Sequence, residues 1–358
     1  MKDFHQQLLR LIRANKLLAW ATVIRSSGST PQKPGSAAIF DATGLMAGTI
    51  GGGIMEAEVE KSVRTLLKTK ESDVVRFILD REQGGEEAIC GGEAEVLIDA
   101  HPALHREALE ALEAALSQKE EGRLITVVGR KKERARKINR YWITGGSATS
   151  LSPQLPERIA RILVENPPGD EGVSWHLKKI QESDHPDVEF VITEWIRPLP
   201  QLIIAGAGHI GKALAHLGNL LDFEVTVIDD RAEYANAKNL PDAEHVVVKD
   251  IGEAVRLLNP GPDTYCVIVT RGHHQDGEAL KPLIGSEAAY IGMIGSRHKV
   301  GIMKKEFLSK GWATPAQWDR IFAPIGLSIG SKTVQEIALS IAAQLVQVRN
   351  KNRLRYGS

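Results

Sequence analysis

One stretch limits what this chain can fold into more than any other. Residues 202–205, Leu-Ile-Ile-Ala, run into Gly206-Ala207-Gly208-His209-Ile210-Gly211 and then into KALAHLGNLL. An apolar strand, a G-x-G-x-x-G turn and a helix follow one another in the order that a dinucleotide-binding βαβ unit requires. Each glycine has a reason in that motif. The first permits the tight turn, the second lets a pyrophosphate approach the backbone, and the third lets the helix pack closely against the strand. N–H groups left unpaired at the helix start then meet the phosphates, so Gly206, Gly208, His209 and Gly211 are candidate contacts. The competing reading is a shell in which the glycines serve only turn and packing.

The sequence beyond the turn keeps the same rhythm. Strands are expected at QLIIA, EVTVID, HVVV, YCVIVT, AAYIGMIG and RIFAP, alternating with helical segments, which predicts a doubly wound parallel sheet. Asp229 closes the second of these strands about 20 residues past the glycines, where an acid hydrogen-bonds ribose hydroxyls. A carboxylate there favours NAD or another nucleoside diphosphate over NADP, whose 2′-phosphate it would repel. In a parallel sheet, the segments 271–276, 295–299 and 324–330 gather at one edge, and Arg271 or Arg297 would supply phosphate-neutralising guanidinium there. His273 and His274 with one nearby Asp make too sparse a ligand set for a metal, and none is expected. Cys266, inside an apolar strand, reads as a buried hydrophobe. The closing helix, KTVQEIALSIAAQLVQVRNK, presents Val334, Ile337, Ile341, Leu345 and Val348 on one face for packing.

The first half has a different texture. Apolar runs at LLAWATVIRS, SAAIFD, LMAGTI, DVVRFILD, EAEVLID and RLITVVG, with helices near 54–67 and 103–117, read as α+β. Arg197-Pro198-Leu199-Pro200 restricts the backbone just before the regular pattern begins. The division expected is residues 1–196 as an α+β domain and 197–358 as a Rossmann-like dinucleotide-binding domain. Lys plus Arg (45) equals Asp plus Glu (45), so no net field draws the chain to nucleic acid. No run approaches the roughly 20 apolar residues that span a bilayer, and the N-terminal amphipathic helix lacks signal-peptide character. A cytoplasmic protein is expected, with no membrane partner. The two cysteines lie outside any disulfide or zinc pattern.

Two glycine-rich segments of the first half stand apart. Gly51-Gly52-Gly53 precedes a helix carrying Glu56, an arrangement that can offer backbone donors to an anion, although the Gly-Lys-Ser/Thr ending of a P-loop is missing. Cys90 precedes Gly91 and Gly92, so a ligand can come close to its sulfur; a structural cysteine in a turn is the alternative.

Taken in order, GSTPQKPGS, GTIGGGIME, ICGG, IIAGAGHIG, VIDDRAEYA, RGHHQD, YIGMIGSRHK and PIGLSIGSKTVQEIALSI resemble the xanthine dehydrogenase accessory factor family (XdhC/CoxI). The resemblance implies a chaperone that binds the molybdenum cofactor (molybdopterin), supports its sulfuration by a cysteine desulfurase and delivers it to an apo-xanthine-dehydrogenase-type molybdenum hydroxylase. It also implies a homo-oligomer. On that basis Cys90, Gly91 and Gly92, together with Gly51, Gly52, Gly53 and Glu56, become the cofactor-contact candidates, and the chain is more an accessory protein than an enzyme. A soft thiolate suits molybdenum. Two other functions fit the fingerprint: an NAD-dependent oxidoreductase using His273 or His274 as acid or base, and a nucleotide-sensing regulator.

Overall fold

A computed structural model describes residues 4–28, 32–79, 92–132, 135–144, 156–165 and 175–355. The chain divides into two compact units, Met1–Pro198 and Leu199–Tyr356.

The first unit is α+β and holds two antiparallel sheets. Its elements are α1 (Phe4–Arg13), β1 (Ala19–Ser27), β2 (Ala37–Asp41), β3 (Gly44–Gly48), α2 (Gly53–Thr69), β4 (Asp73–Leu79), β5 (Gly92–Asp99), α3 (Arg106–Ser117), β6 (Gly122–Gly129), β7 (Ile138–Thr144), α4 (Glu157–Glu165), β8 (Trp175–Lys179) and β9 (Val188–Ile196). One sheet runs β3-β2-β1-β5-β4 and the other β7-β6-β9-β8. Alternation along β1 sends Ala19, Ala21 and Val23 toward α2, where Met55, Val59, Val63 and Leu67 bury one stripe. Trp20 and Ile39 on the other face meet Phe4, Leu8 and Ile12 of α1 and Leu109 and Leu112 of α3.

Buried charges link the two sheets of this unit. Asp99, at the end of β5, pairs with Arg140 of β7 and lies 3.1 Å from His105 Nε2. The Arg140 guanidinium also sits 3.8 Å from the ring centroid of Trp20 in β1. Burial would raise the Asp99 carboxyl, but Arg140 and His105 outweigh it and hold it well below the usual carboxylate range. Glu194 of β9 has only the attraction of Arg140 against its desolvation, and burial pushes it up to about 7.

The second unit is a parallel sheet wrapped by helices. Its elements are β10 (Gln201–Ala205), α5 (His209–Leu220), β11 (Glu224–Asp229), β12 (His245–Val248), α6 (Ile251–Leu258), β13 (Thr264–Ile268), α7 (His273–Leu280), β14 (Tyr290–Met293), α8 (Arg297–Ser309), α9 (Pro315–Trp318), β15 (Ile321–Phe322) and α10 (Val334–Arg355). The sheet order is β12-β11-β10-β13-β14-β15, with every pair parallel. Numbered within the unit, that is 3-2-1-4-5-6, the order of a Rossmann sheet. The strand period of two explains why both faces are apolar. Leu202 and Ile204 pack toward Leu214 of α5 and Ile341 and Leu345 of α10. Ile203, Ala205 and Cys266 pack toward Val255, Leu280 and Phe307 of α6, α7 and α8. Cys266 is fully enclosed, and burial pushes its thiol up to about 12, so it is held as a neutral apolar group.

The segment Pro324–Gly330 serves the fit of α10. Gln344 Oε1 accepts from Tyr290 Oη at 2.5 Å and from the Gly326 N–H at 2.9 Å. Gly326 has φ +94, and a Cβ there would stand 2.4 Å from Ser340 Oγ.

Candidate nucleotide-binding site

The chain leaves β10 for β11 on one side and returns to β13 on the other, so the carboxyl end of β10 is the topological switch point where ligands bind in such sheets. The turn 206–208 lies there. Gly206 has φ +115, its N–H donates to Ile228 O at 2.8 Å, and a Cβ would meet Val269 O at 2.5 Å. Gly211 packs still closer: a Cβ would stand 1.9 Å from Gly206 O. Both glycines are required by the protein itself. Gly208 is not. Its φ of −72 suits any residue, and nothing lies within 4 Å of a Cβ placed on it.

Two helices begin at this end without a side-chain cap. Gly208 precedes α5 and Gly272 precedes α7, and neither position receives a capping side chain. By contrast Asp250 and Ser296 cap α6 and α8 by accepting from Glu253 N and Lys299 N. Uncapped first-turn N–H groups with the positive end of the helix dipole make an anion-binding surface.

Around the turn, Asp229 is 2% exposed and fully engaged. Oδ2 accepts from the Ala207 N–H at 2.8 Å and Arg231 Nη2 at 2.9 Å; Oδ1 accepts from the Arg231 N–H at 3.1 Å and Nε at 2.8 Å. Burial alone would raise this carboxyl. The hydrogen bonds from Arg231 and from the backbone outweigh it and keep the group below its ordinary pKa. Arg231 in turn lies 4.0 Å from the Tyr234 ring centroid. Asp229 therefore does not select against a 2′-phosphate as its position in sequence suggests, because its charge is countered in place by Arg231.

The segments 271–276 and 295–299 meet through a second buried acid. Asp276 is completely buried and accepts from Thr270 Oγ1 at 2.5 Å and Lys299 Nζ at 2.6 Å. Arg271 is exposed and lies 3.5 Å from Asp230 Oδ2, while Arg297 is exposed at the start of α8. His273 Nε2 is 3.6 Å from Glu306. His209, the first residue of α5, lines a cavity of about 430 Å³ with Lys212, His216 and Asp242. Among the described residues no group of three or more His, Cys, Asp or Glu side chains is placed to hold a metal.

In the first unit, Gly51, Gly52 and Gly53 have φ of +133, +72 and +54. Glu56 folds back onto this turn, accepting from Thr49 Oγ1 at 2.8 Å and the Ile50 N–H at 3.2 Å. α2 has no side-chain cap, and the space beside Gly52 and Gly53 is open. Gly92 is buried as the first residue of β5, whereas Cys90 and Gly91 lie outside the described residues.

Two family matches cover the parts of the chain that hold these turns. Residues 202–345 match the XdhC Rossmann domain, and residues 11–77 match the XdhC and CoxI family. The chain belongs to the XdhC and CoxI family. Such membership supports an accessory role in xanthine dehydrogenase maturation. The chain is similar to a probable xanthine dehydrogenase subunit from Bacillus subtilis (strain 168), with 24% identity over 98% of this chain and 99% of that protein. It is also similar to Uncharacterized protein YqeB of Escherichia coli (strain K12), with 37% identity over 42% of this chain, a match that spans 28% of the YqeB length. The fold is shared with the crystal structure of a xanthine dehydrogenase from Bacillus halodurans at a TM-score of 0.74 and 22% identity, covering 97% of this chain and 96% of that one. Among the described residues no helix is long and apolar enough to cross a membrane.

Several participants escape sequence reasoning. Arg231, Asp276 and Lys299 have no spacing rule that marks them; Asp276 and Lys299 stand 23 residues apart and meet only because β13 and β14 are neighbours. The segments that hold both, 271–276 and 295–299, are expected from sequence to gather at one sheet edge, but the pairing within them is not.

Proposed function

We propose that this protein binds the molybdenum cofactor, supports its sulfuration by a partner cysteine desulfurase and its insertion into a xanthine-dehydrogenase-type molybdenum hydroxylase, and works as a homo-oligomer. Within that role the second unit holds the nucleotide part of a dinucleotide, either NAD or a nucleotide-bearing form of the cofactor. The observation that carries the nucleotide reading is Gly208: the protein's own packing and backbone give no reason for a glycine there, whereas a pyrophosphate lying against the turn does. The uncapped starts of α5 and α7 supply donors to the same place.

In the first unit, taken by itself, the turn 49–53 offers an open, uncapped helix start to a pterin phosphate, and Glu56 already occupies one of its donors from within. When bound, the cofactor supplies the molybdenum centre that the client enzyme needs; the chain's part is to hold its phosphate with backbone N–H groups and, through Cys90, to offer a soft ligand. The test is mass spectrometry of ligands that copurify with the chain, paired with Cys90→Ser. A pterin in the parent preparation that is lost in the variant, along with activation of the client enzyme, is the expected result. A variant that retains pterin and activates the client normally removes Cys90 from the site. A parent chain carrying no pterin, and not taking it up on incubation, ends the cofactor reading.

A further inference from the structure

Spacing assigns the ribose to Asp229, but that carboxylate has no acceptor left to give. A carboxylate has about four lone-pair sites, and the Ala207 N–H with the three Arg231 donors fills them. Its work is internal. It ties the glycine turn, through Ala207, to the end of β11.

The next residue is different. Asp230 is 36% exposed, and its Oδ2 accepts from Gln275 Nε2 at 3.1 Å with Arg271 Nη2 at 3.5 Å. Its Oδ1 stands 3.7 Å from Arg231 Nε, beyond hydrogen-bond reach. Position adds to this. Asp230 follows β11, Gln275 and Arg271 follow β13, and those strands flank β10 on opposite sides. The Asp230–Gln275 bond therefore spans the carboxyl end of β10, where the glycine turn lies.

We infer that Asp230, not Asp229, reads the ribose, accepting at Oδ1 from the 2′- and 3′-hydroxyls of a nucleoside diphosphate whose phosphates lie against Gly208. Gln275 and Arg271 hold the carboxylate from the β13 side. Because Oδ1 accepts from the ribose hydroxyls, the ligand it selects carries a free 2′-hydroxyl. The inference rests on the nucleotide-binding reading above.

Calorimetric titration of the full chain with ADP and 2′-deoxy-ADP tests it. The parent chain is expected to prefer ADP about tenfold or more, about 1.4 kcal/mol, as the loss of a hydrogen bond to a charged group requires. Asp230→Asn, at an exposed position, is expected to fold normally and to bind the two nucleotides with nearly equal affinity. Asp229→Asn is expected to lower the melting temperature while keeping the preference for ADP in the folded fraction. A preference that survives Asp230→Asn, a parent chain that binds both nucleotides equally, or a preference abolished only by Asp229→Asn overturns the assignment alone. Binding of neither nucleotide by the parent chain overturns the nucleotide reading, and the assignment falls with it.

Discussion

The two glycine turns of this protein look alike in sequence and are glycine-rich for different reasons. In the first unit the backbone itself demands glycine: Gly51, Gly52 and Gly53 all have positive φ, and the φ +72, ψ 177 of Gly52 belongs to a region that only glycine occupies readily. In the second unit Gly206 and Gly211 are fixed by contact, with backbone oxygens where a Cβ would go, and Gly208 has neither constraint. A run of glycines is thus weak evidence for a ligand when backbone conformation accounts for it. One glycine that nothing in the protein explains is stronger evidence than three that are explained.

The contrast predicts a graded response to alanine. Gly211→Ala drives a methyl into the Gly206 carbonyl and is expected to cost about 3 kcal/mol or more, read as a fall in the urea midpoint or failure to fold. A variant of near-parental stability would mean that α5 can retreat from β10 and that the third glycine is not set by packing.

Two desolvated acids, one from each unit, respond to pH with opposite sign. The Asp229 pKa is depressed, so its contribution is present at neutral pH and is lost only as pH falls through and below the ordinary carboxylate range. Glu194 has the opposite sign. Its folded pKa of about 7 lies above an unfolded value of about 4.3, so its contribution is present at acid pH and is lost as pH rises through 7. Glu194→Gln is expected to make the chain more stable than the parent above pH 7 by about 1–3 kcal/mol, with the gain shrinking toward pH 5. His5, whose ring is desolvated and lowered to about 4, acts the other way, losing stability as pH falls from its usual 6.5 toward 4. The variant should therefore show a steeper loss on acidification than the parent. Parallel stability-against-pH curves for the two would place Glu194 in solvent.

Gly52→Ala is expected to cost about 1–3 kcal/mol through backbone strain alone, because the space around it is open. Measured by urea denaturation, a cost below about 0.5 kcal/mol would show that the turn relaxes, and the explanation of this glycine by φ would fail. Gly208→Ala is the smallest of the series in stability, within about 0.5 kcal/mol of the parent, yet it should weaken ADP binding about tenfold or more in calorimetry. Equal binding by parent and variant would leave Gly208 without the role that distinguishes the two turns.

Much of the architecture was legible because it follows from periodicity. The alternation of strands and helices after Gln201, the burial of Cys266 and the packing face of α10 each rest on local patterns that survive folding unchanged. Less of the site was legible. Arg231 reaches back to Asp229 from two residues away, and Gln275 meets Asp230 across a strand inserted between their own strands. Spacing along the chain carries no trace of such pairings.

By itself the sequence determined the class of each unit and the order of the glycine turn, since hydrophobic period and the steric freedom of glycine are properties of neighbouring residues. Only the tertiary structure decided which acids are free. Asp229 and Asp230 are identical side chains on adjacent residues, and what distinguishes them is the set of donors that folding brings to each. For Asp229 these are Ala207 and Arg231, which close it off; for Asp230 they are Gln275 and Arg271, which hold it at the surface. A carboxylate's role follows from its unfilled acceptors, and those are counted only after distant segments have met.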